Sequence, residues 1–164
     1  MKDLILKLGS RITSTLMEHF GVKLISVCLY GSAVRGALRN GSDIDFLIVL
    51  GDAPLSYHKR VKAIIPLIER VRESKEYRRM EKLNLHLEPS LLVMTKREVE
   101  THPDILIDIS QEGITLFDEA DFLKKHLNAI KEKMIGLGSI KKRTPHGHYW
   151  NLKPDLRIGE VFEL

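Results

Sequence analysis

The chain carries one cysteine and one tryptophan in 164 residues. A lone thiol excludes an intramolecular disulfide and fits a reducing compartment. Cys28 lies in an apolar run and reads as a small core residue, not a reactive thiol. Long hydrophobic runs are also missing: none reaches the ~20 residues that span a bilayer. Residues 1–8 are too charged for a secretory signal, so the expected location is cytoplasmic, with no membrane contact. No repeat or low-complexity tract is present. Charge of one sign does not dominate, since 26 Lys and Arg face 22 Asp and Glu for a net +4. The length suits one domain with a real core.

What is present centres on residues 24–50. Leu24 to Tyr30 is short, β-branched and bounded by glycine, which predicts a buried strand. Ser32 can cap a short helix over Ala33 to Leu38. Asn40-Gly41-Ser42 is a turn, because Asn and Gly accept positive φ. Ile44 to Leu50 predicts a second buried strand. A Gly-Ser turn opening a helix offers N–H groups to a phosphate. Gly31 lets that phosphate approach the backbone, and Ser32 adds a hydroxyl. Asp43 and Asp45, two apart on a strand, leave the same face. Paired acids repel unless a cation lies between them. Mg²⁺ (or Mn²⁺), held by one or two carboxylates and substrate phosphates, resolves that repulsion.

Elsewhere the pattern alternates between helices and strands. Residues 3–20 carry an apolar helical stripe that Gly21 ends. A further helix opens at Pro54 and runs through Val71, with a kink or a break expected at Pro66. Its charge-dense end, Arg70 to Lys82, reads as solvated helix end and loop. Leu83 to Thr95 predicts a strand with an interruption at Pro89, hence an edge or a bulge. Thr95 and Glu98 form a capping box. Ile105 to Ile109 predicts a short helix and Gly113 to Phe117 a short strand. A last helix, capped by Asp118 or Asp121, carries Phe122, Leu123, Leu127 and Ile130. From Gly136 the periodicity stops. Residues 137–164 are expected to form an extended tail on domain 1–136, with Tyr149, Trp150 and Phe162 packed on it.

The run Gly31-Ser32-Ala33-Val34-Arg35-Gly36, followed by Ser42-Asp43-Ile44-Asp45-Phe46, resembles the motif of the DNA polymerase β-like nucleotidyltransferase superfamily. Size and pattern place the likeness in its minimal archaeal and bacterial branch. The strict motif covers about a tenth of the chain; residues 149–155 and 159–164 also resemble the tail of an archaeal subgroup. The resemblance implies an α/β (α+β) fold, polymerase β palm-like, with a small mixed sheet and helices packed on it. It implies transfer of a nucleoside monophosphate from Mg²⁺-bound NTP, ATP above others, to a hydroxyl of a protein, RNA or small molecule. Asp43 and Asp45 would hold the metal. Gly31, Ser32, Arg35 and Ser42 would hold the nucleotide, an Arg fork suiting phosphate oxygens; Arg39, four residues beyond Arg35, shares its face on the expected helix. The family supplies a third carboxylate from a later strand as ligand and general base. Glu88 is the candidate here, although the family residue is usually Asp and Pro89 disturbs the strand.

Two other readings fit the same residues. One is an NTP-binding module that transfers nothing, or the small member of a toxin–antitoxin pair with a helical protein partner. The other is an RNA-binding protein with a vestigial site, using Lys141-Lys142-Arg143 with His146, His148, Tyr149 and Trp150. Cations and aromatics interleaved in this way suit phosphates and stacked bases, but they equally suit a tail that docks its aromatics and leaves its charges in water. His146 and His148 lack further ligands at metal-binding spacing.

Overall fold

A computed structural model describes residues 1–36, 40–53, 56–145, 147–157 and 159–162. Arg39, Pro54 and His146 lie outside the described residues. Helix α1 (Lys2–Phe20) leads to strand β1 (Leu24–Tyr30), then the single helical turn α2 (Ser32–Arg35) and strand β2 (Asp43–Leu50). Helices α3 (Tyr57–Arg72) and α4 (Lys75–Lys82) precede strand β3 (Glu88–Thr95). Next come α5 (Lys96–Glu100), α6 (Ile105–Glu112), strand β4 (Ile114–Asp118) and α7 (Phe122–Gly136). The chain then forms strands β5 (Ile140–Thr144) and β6 (Gly147–Asn151).

The fold is α+β with a four-stranded mixed sheet in the order β3-β2-β1-β4. β1 pairs antiparallel with β2 and β4, while β3 runs parallel to β2. The β2–β3 register pairs Asp43 with Glu88 and Asp45 with Ser90. Both sheet faces are covered, which explains the near-continuous apolar runs of β1 and β2. One face packs Val27, Leu29, Phe46 and Ile48 on Leu8, Ile12 and Leu16 of α1 and on Ile64, Val71 and Met80. The other packs Cys28, Leu47 and Val49 on Val99, Leu106, Leu123 and Ile130. Cys28 is fully buried there, and its thiol pKa is pushed up to about 12, first by burial. No helix among the described residues is long and apolar enough to cross a membrane.

Several expectations are corrected. α3 continues through Pro66, and the break falls at Glu73 and Ser74, where Ser74 caps α4 by accepting from the Tyr77 N–H at 3.2 Å. The charge-dense stretch is therefore a helix of its own, anchored by buried Tyr77 and Met80. Leu83, in a turn, and Leu85 both precede β3, and only Leu87 of that alternation is buried. Pro89 lies inside β3 without interrupting its register, and of the two expected alternatives the edge strand is the one found. The tail contains the antiparallel β5–β6 hairpin, which its periodicity does not announce. Trp150 packs against the second core cluster, but Tyr149 is 51% exposed and does not dock.

Candidate nucleotide site at the Gly31 turn

β1 and β2 are neighbours, and Tyr30 opposes Asp45 across them. The chain leaving Tyr30 must turn at once, and Gly31 does so at φ 72°, ψ −147°. That conformation is open to glycine and strained for any residue with a Cβ. A second constraint acts at the same point. A Cβ on Gly31 would lie 2.3 Å from Asp45 Oδ2 and 3.2 Å from its Cγ. The Asp45 carboxylate therefore rests against the glycine turn.

Gly31 itself occupies the N-cap position of α2, and Ser32 is the first helical residue, so Ser32 does not cap. Its hydroxyl instead makes a long 3.5 Å contact to the backbone carbonyl of Asp43. The helical turn is capped by Gly36, left-handed at φ 70°, and the expected helix end at Leu38 lies outside the described residues. The next turn is tied to the segment that leads into β3: Asn40 Oδ1 accepts from the His86 N–H at 2.9 Å, and the Gly41 N–H donates to the His86 carbonyl at 3.0 Å. These bonds set the start of β2, where Ser42 is half-buried, against the start of β3.

Asp43 is exposed and Asp45 half-buried. Burial, reinforced by the charge of Asp43, raises the Asp45 pKa above its ordinary value; a hydrogen bond from Ser90 and the charge of Arg35 oppose that rise without cancelling it. The Tyr30 phenol beside them is pushed up to about 12, by burial first and by Asp45 second. A divalent cation between Asp43 and Asp45 would remove the repulsion, so the pair fits such an ion as a two-carboxylate site. Among the described residues no group of three His, Cys, Asp or Glu gathers to hold a metal.

The remaining predicted residues are placed as follows. Arg35 is ion-paired with Glu112 at the end of α6, while its charge still reaches Asp45. Glu88 pairs in register with Asp43, yet its carboxylate is engaged by Arg72 of α3 and accepts from the Tyr77 hydroxyl at 3.2 Å. Ser90, Glu112, Arg72 and Tyr77 were not anticipated. Strand alternation places Ser90 on the face of Glu88 and could have found it; nothing local in the sequence marks the other three.

The Gly31 turn and the paired acids Asp43 and Asp45 of the adjoining strand thus lie side by side. The chain belongs to the nucleotidyltransferase domain family, whose family model matches residues 10–116. It is 24% identical over 157 residues to spectinomycin 9-adenylyltransferase of Enterococcus faecalis, spanning 93% of this chain but 59% of that relative's length. The crystal structure of the E. faecalis spectinomycin adenyltransferase with ATP and spectinomycin shares the fold, with a TM-score of 0.53 and 15% identity over 80% of this chain and 66% of that one. A toxin–antitoxin crystal structure with AMP-PNP is also similar, with a TM-score of 0.48 and 16% identity over 78% of this chain and 88% of that one.

Proposed function

We propose that the chain transfers a nucleoside monophosphate from metal-bound NTP, with ATP as the first candidate, to a hydroxyl acceptor. The observation that carries this reading is the contact of the Asp45 carboxylate with the Gly31 turn. It supports a metal held by Asp45 next to a phosphate held by the turn. The ATP-bound relative supports ATP as the nucleotide.

Asp43 and Asp45 would hold the metal, Mg²⁺ or Mn²⁺. When bound, a metal pair supplies charge neutralisation at the entering and leaving oxygens of an in-line displacement. The chain's own residues do the positioning. The Gly31 and Ser32 backbone and the Ser32 hydroxyl take the β and γ phosphates. Ser42 sits where β2 begins, beside Asp43. Arg35 turns its fork from Glu112 to a phosphate oxygen, exchanging one anionic partner for another. Glu88, one strand over from Asp43, is assigned as the base that takes the acceptor proton. Its carboxylate must then reach past its bonds to Arg72 and Tyr77.

The test is incubation of the chain with α-labelled NTPs, Mg²⁺ and a lysate. Label should enter an acceptor, and Asp43→Asn or Asp45→Asn should abolish it. Glu88→Gln should keep NTP binding but lower turnover by ~10²–10⁴, the usual worth of a general base. Mg²⁺–ATP binding by calorimetry without label on any acceptor, from any of the four NTPs, would favour a non-transferring module instead.

A further inference from the structure

The β5–β6 hairpin has two unlike faces. Strand alternation puts Lys141, Arg143, His148 and Trp150 on one side, and Ile140, Lys142, Tyr149 and Asn151 on the other. The first side is moored to α6. The Trp150 indole N–H donates to Asp108 at 2.9 Å, His148 Nε2 lies 2.8 Å from the same oxygen, and Lys141 Nζ lies 3.8 Å from it. Lys141 also lies over the Trp150 ring at 5.4 Å. The second side is left in solvent. There Lys142 stands directly opposite Tyr149 across the hairpin, with Tyr149 51% and Ile140 47% exposed.

A docked sheet face that turns a tyrosine, an aliphatic side chain and a cation outward is not explained by packing. The burial on the Trp150 side already holds the hairpin in place. An exposed aromatic face beside cations suits an unstacked base and its phosphates. Thr144 and Asn151, on the same outer side, offer a hydroxyl and an amide that can both donate and accept, as a ribose 2′-hydroxyl requires. The location also fits the candidate site. Asp108, which anchors the hairpin, and Glu112, which pairs with Arg35, are one turn apart on the same side of α6, about 6 Å along its axis.

We infer that the outer face of the β5–β6 hairpin binds single-stranded RNA, and that the RNA's terminal hydroxyl is the acceptor. The first half stands on the hairpin alone; the second rests on the nucleotidyl transfer proposed above. In that step the RNA hydroxyl oxygen bonds to the α-phosphorus and its proton passes to Glu88. The bond from the α-phosphorus to the bridging oxygen breaks, and pyrophosphate leaves.

The test uses the full chain and a fluorescein-labelled 20-nucleotide single-stranded RNA of mixed sequence, read by anisotropy at several salt concentrations. A DNA of the same sequence is run beside it. Affinity for the RNA should fall linearly in log–log form with salt. Lys142→Glu should flatten that slope by about 0.7, for one phosphate contact. Tyr149→Ala should weaken binding roughly 5- to 150-fold, the range of one stacked base, with the slope unchanged. The chain's single tryptophan reports on docking, so unchanged Trp150 emission in each variant shows that the hairpin is still seated. Asp45→Asn should bind the RNA like the parent chain and add no labelled nucleotide to it. RNA binding that is absent at low salt, or indifferent to these variants, overturns the surface, and equal affinity for DNA overturns the choice of RNA. If the RNA binds as expected and calorimetry shows Mg²⁺–ATP binding, but label enters a protein and not the RNA, the acceptor assignment is overturned while nucleotidyl transfer stands. If Mg²⁺–ATP does not bind, transfer fails and the hairpin surface is decided by anisotropy alone.

Discussion

At Gly31 two demands meet on one residue: a left-handed φ of 72° and a carboxylate oxygen 2.3 Å from where a Cβ would be. Gly31→Ala therefore pays twice. The strained backbone costs ~1–3 kcal/mol, and the methyl pushes Asp45 away from the turn. The expected result is a lower Tm with a larger loss of Mg²⁺–NTP affinity than the stability change explains, read by thermal melts and calorimetry. Asp45 supplies a prediction of opposite sign. Its pKa is raised by burial and then by Asp43, so the folded metal-free chain ionises it less readily than the unfolded chain does. That cost is absent below the ordinary value of 3.8. It grows as pH rises through the raised folded value, and is full above it. Asp45→Asn should accordingly raise the metal-free Tm at pH 7, by on the order of 1–3 °C, and leave it unchanged near pH 3. Equal gains at both pH values would assign the effect to something other than this charge. In the parent chain, protons should compete with the metal at a higher pH than an unperturbed aspartate allows.

At the scale of elements, β3 borders the site from the edge of the sheet. Its end is locked by a capping box, in which Thr95 and Glu98 satisfy each other's backbone N–H groups. Glu98 does more, because it also takes the Arg60 guanidinium at 2.8 and 2.9 Å, and Arg60 is 2% exposed. Removing one partner of a buried ion pair strands the other. Glu98→Gln should cost ~2–4 kcal/mol in chemical denaturation, below the full buried-pair penalty because the Glu98 side chain is 44% exposed. The capping box was readable from Thr95 and Glu98 alone, but their tie to Arg60 was not: its register reaches across 38 positions. The same division holds at the site. Leu24 to Tyr30 and the Asp43-Asp45 pair stand out because apolar continuity and period-2 spacing are local signals. Arg72 and Tyr77 fall in a stretch where charge masks the helical period, so the groups that hold Glu88 could not be read. The hairpin was hidden for a related reason: on its inward face Trp150 stands among Lys141, Arg143 and His148, so no apolar alternation shows.

Over the whole molecule, the sheet carries two apolar layers laid down by different parts of the chain. α1, α3 and α4 cover one face, and α5, α6 and α7 cover the other, with Trp150 and Leu152 packed at its margin. We propose that residues 1–136 form the nucleotidyltransferase domain and that 137–164 pack on it as an addition. A chain ending at residue 136 should then keep its far-ultraviolet signal and a cooperative melt. It should lose ~1–3 kcal/mol, or roughly 2–4 °C per kcal/mol, for the apolar contacts of two half-buried side chains. Part of that loss depends on Asp108. Burial alone would raise its pKa, but the Trp150 indole, the His148 ring and Lys141 together outweigh burial and hold it below 3.8. A carboxylate with a lowered folded pKa stabilises above its unfolded value and gives that stability up as pH falls through the folded one. All three of those partners are in the tail. The Tm gap between the full and shortened chains should therefore be widest near neutral pH and narrow below about pH 3.8, leaving only the apolar share. A gap that holds constant down to pH 3 would remove Asp108 from the docking, and a shortened chain without a cooperative melt would make the tail part of the domain itself.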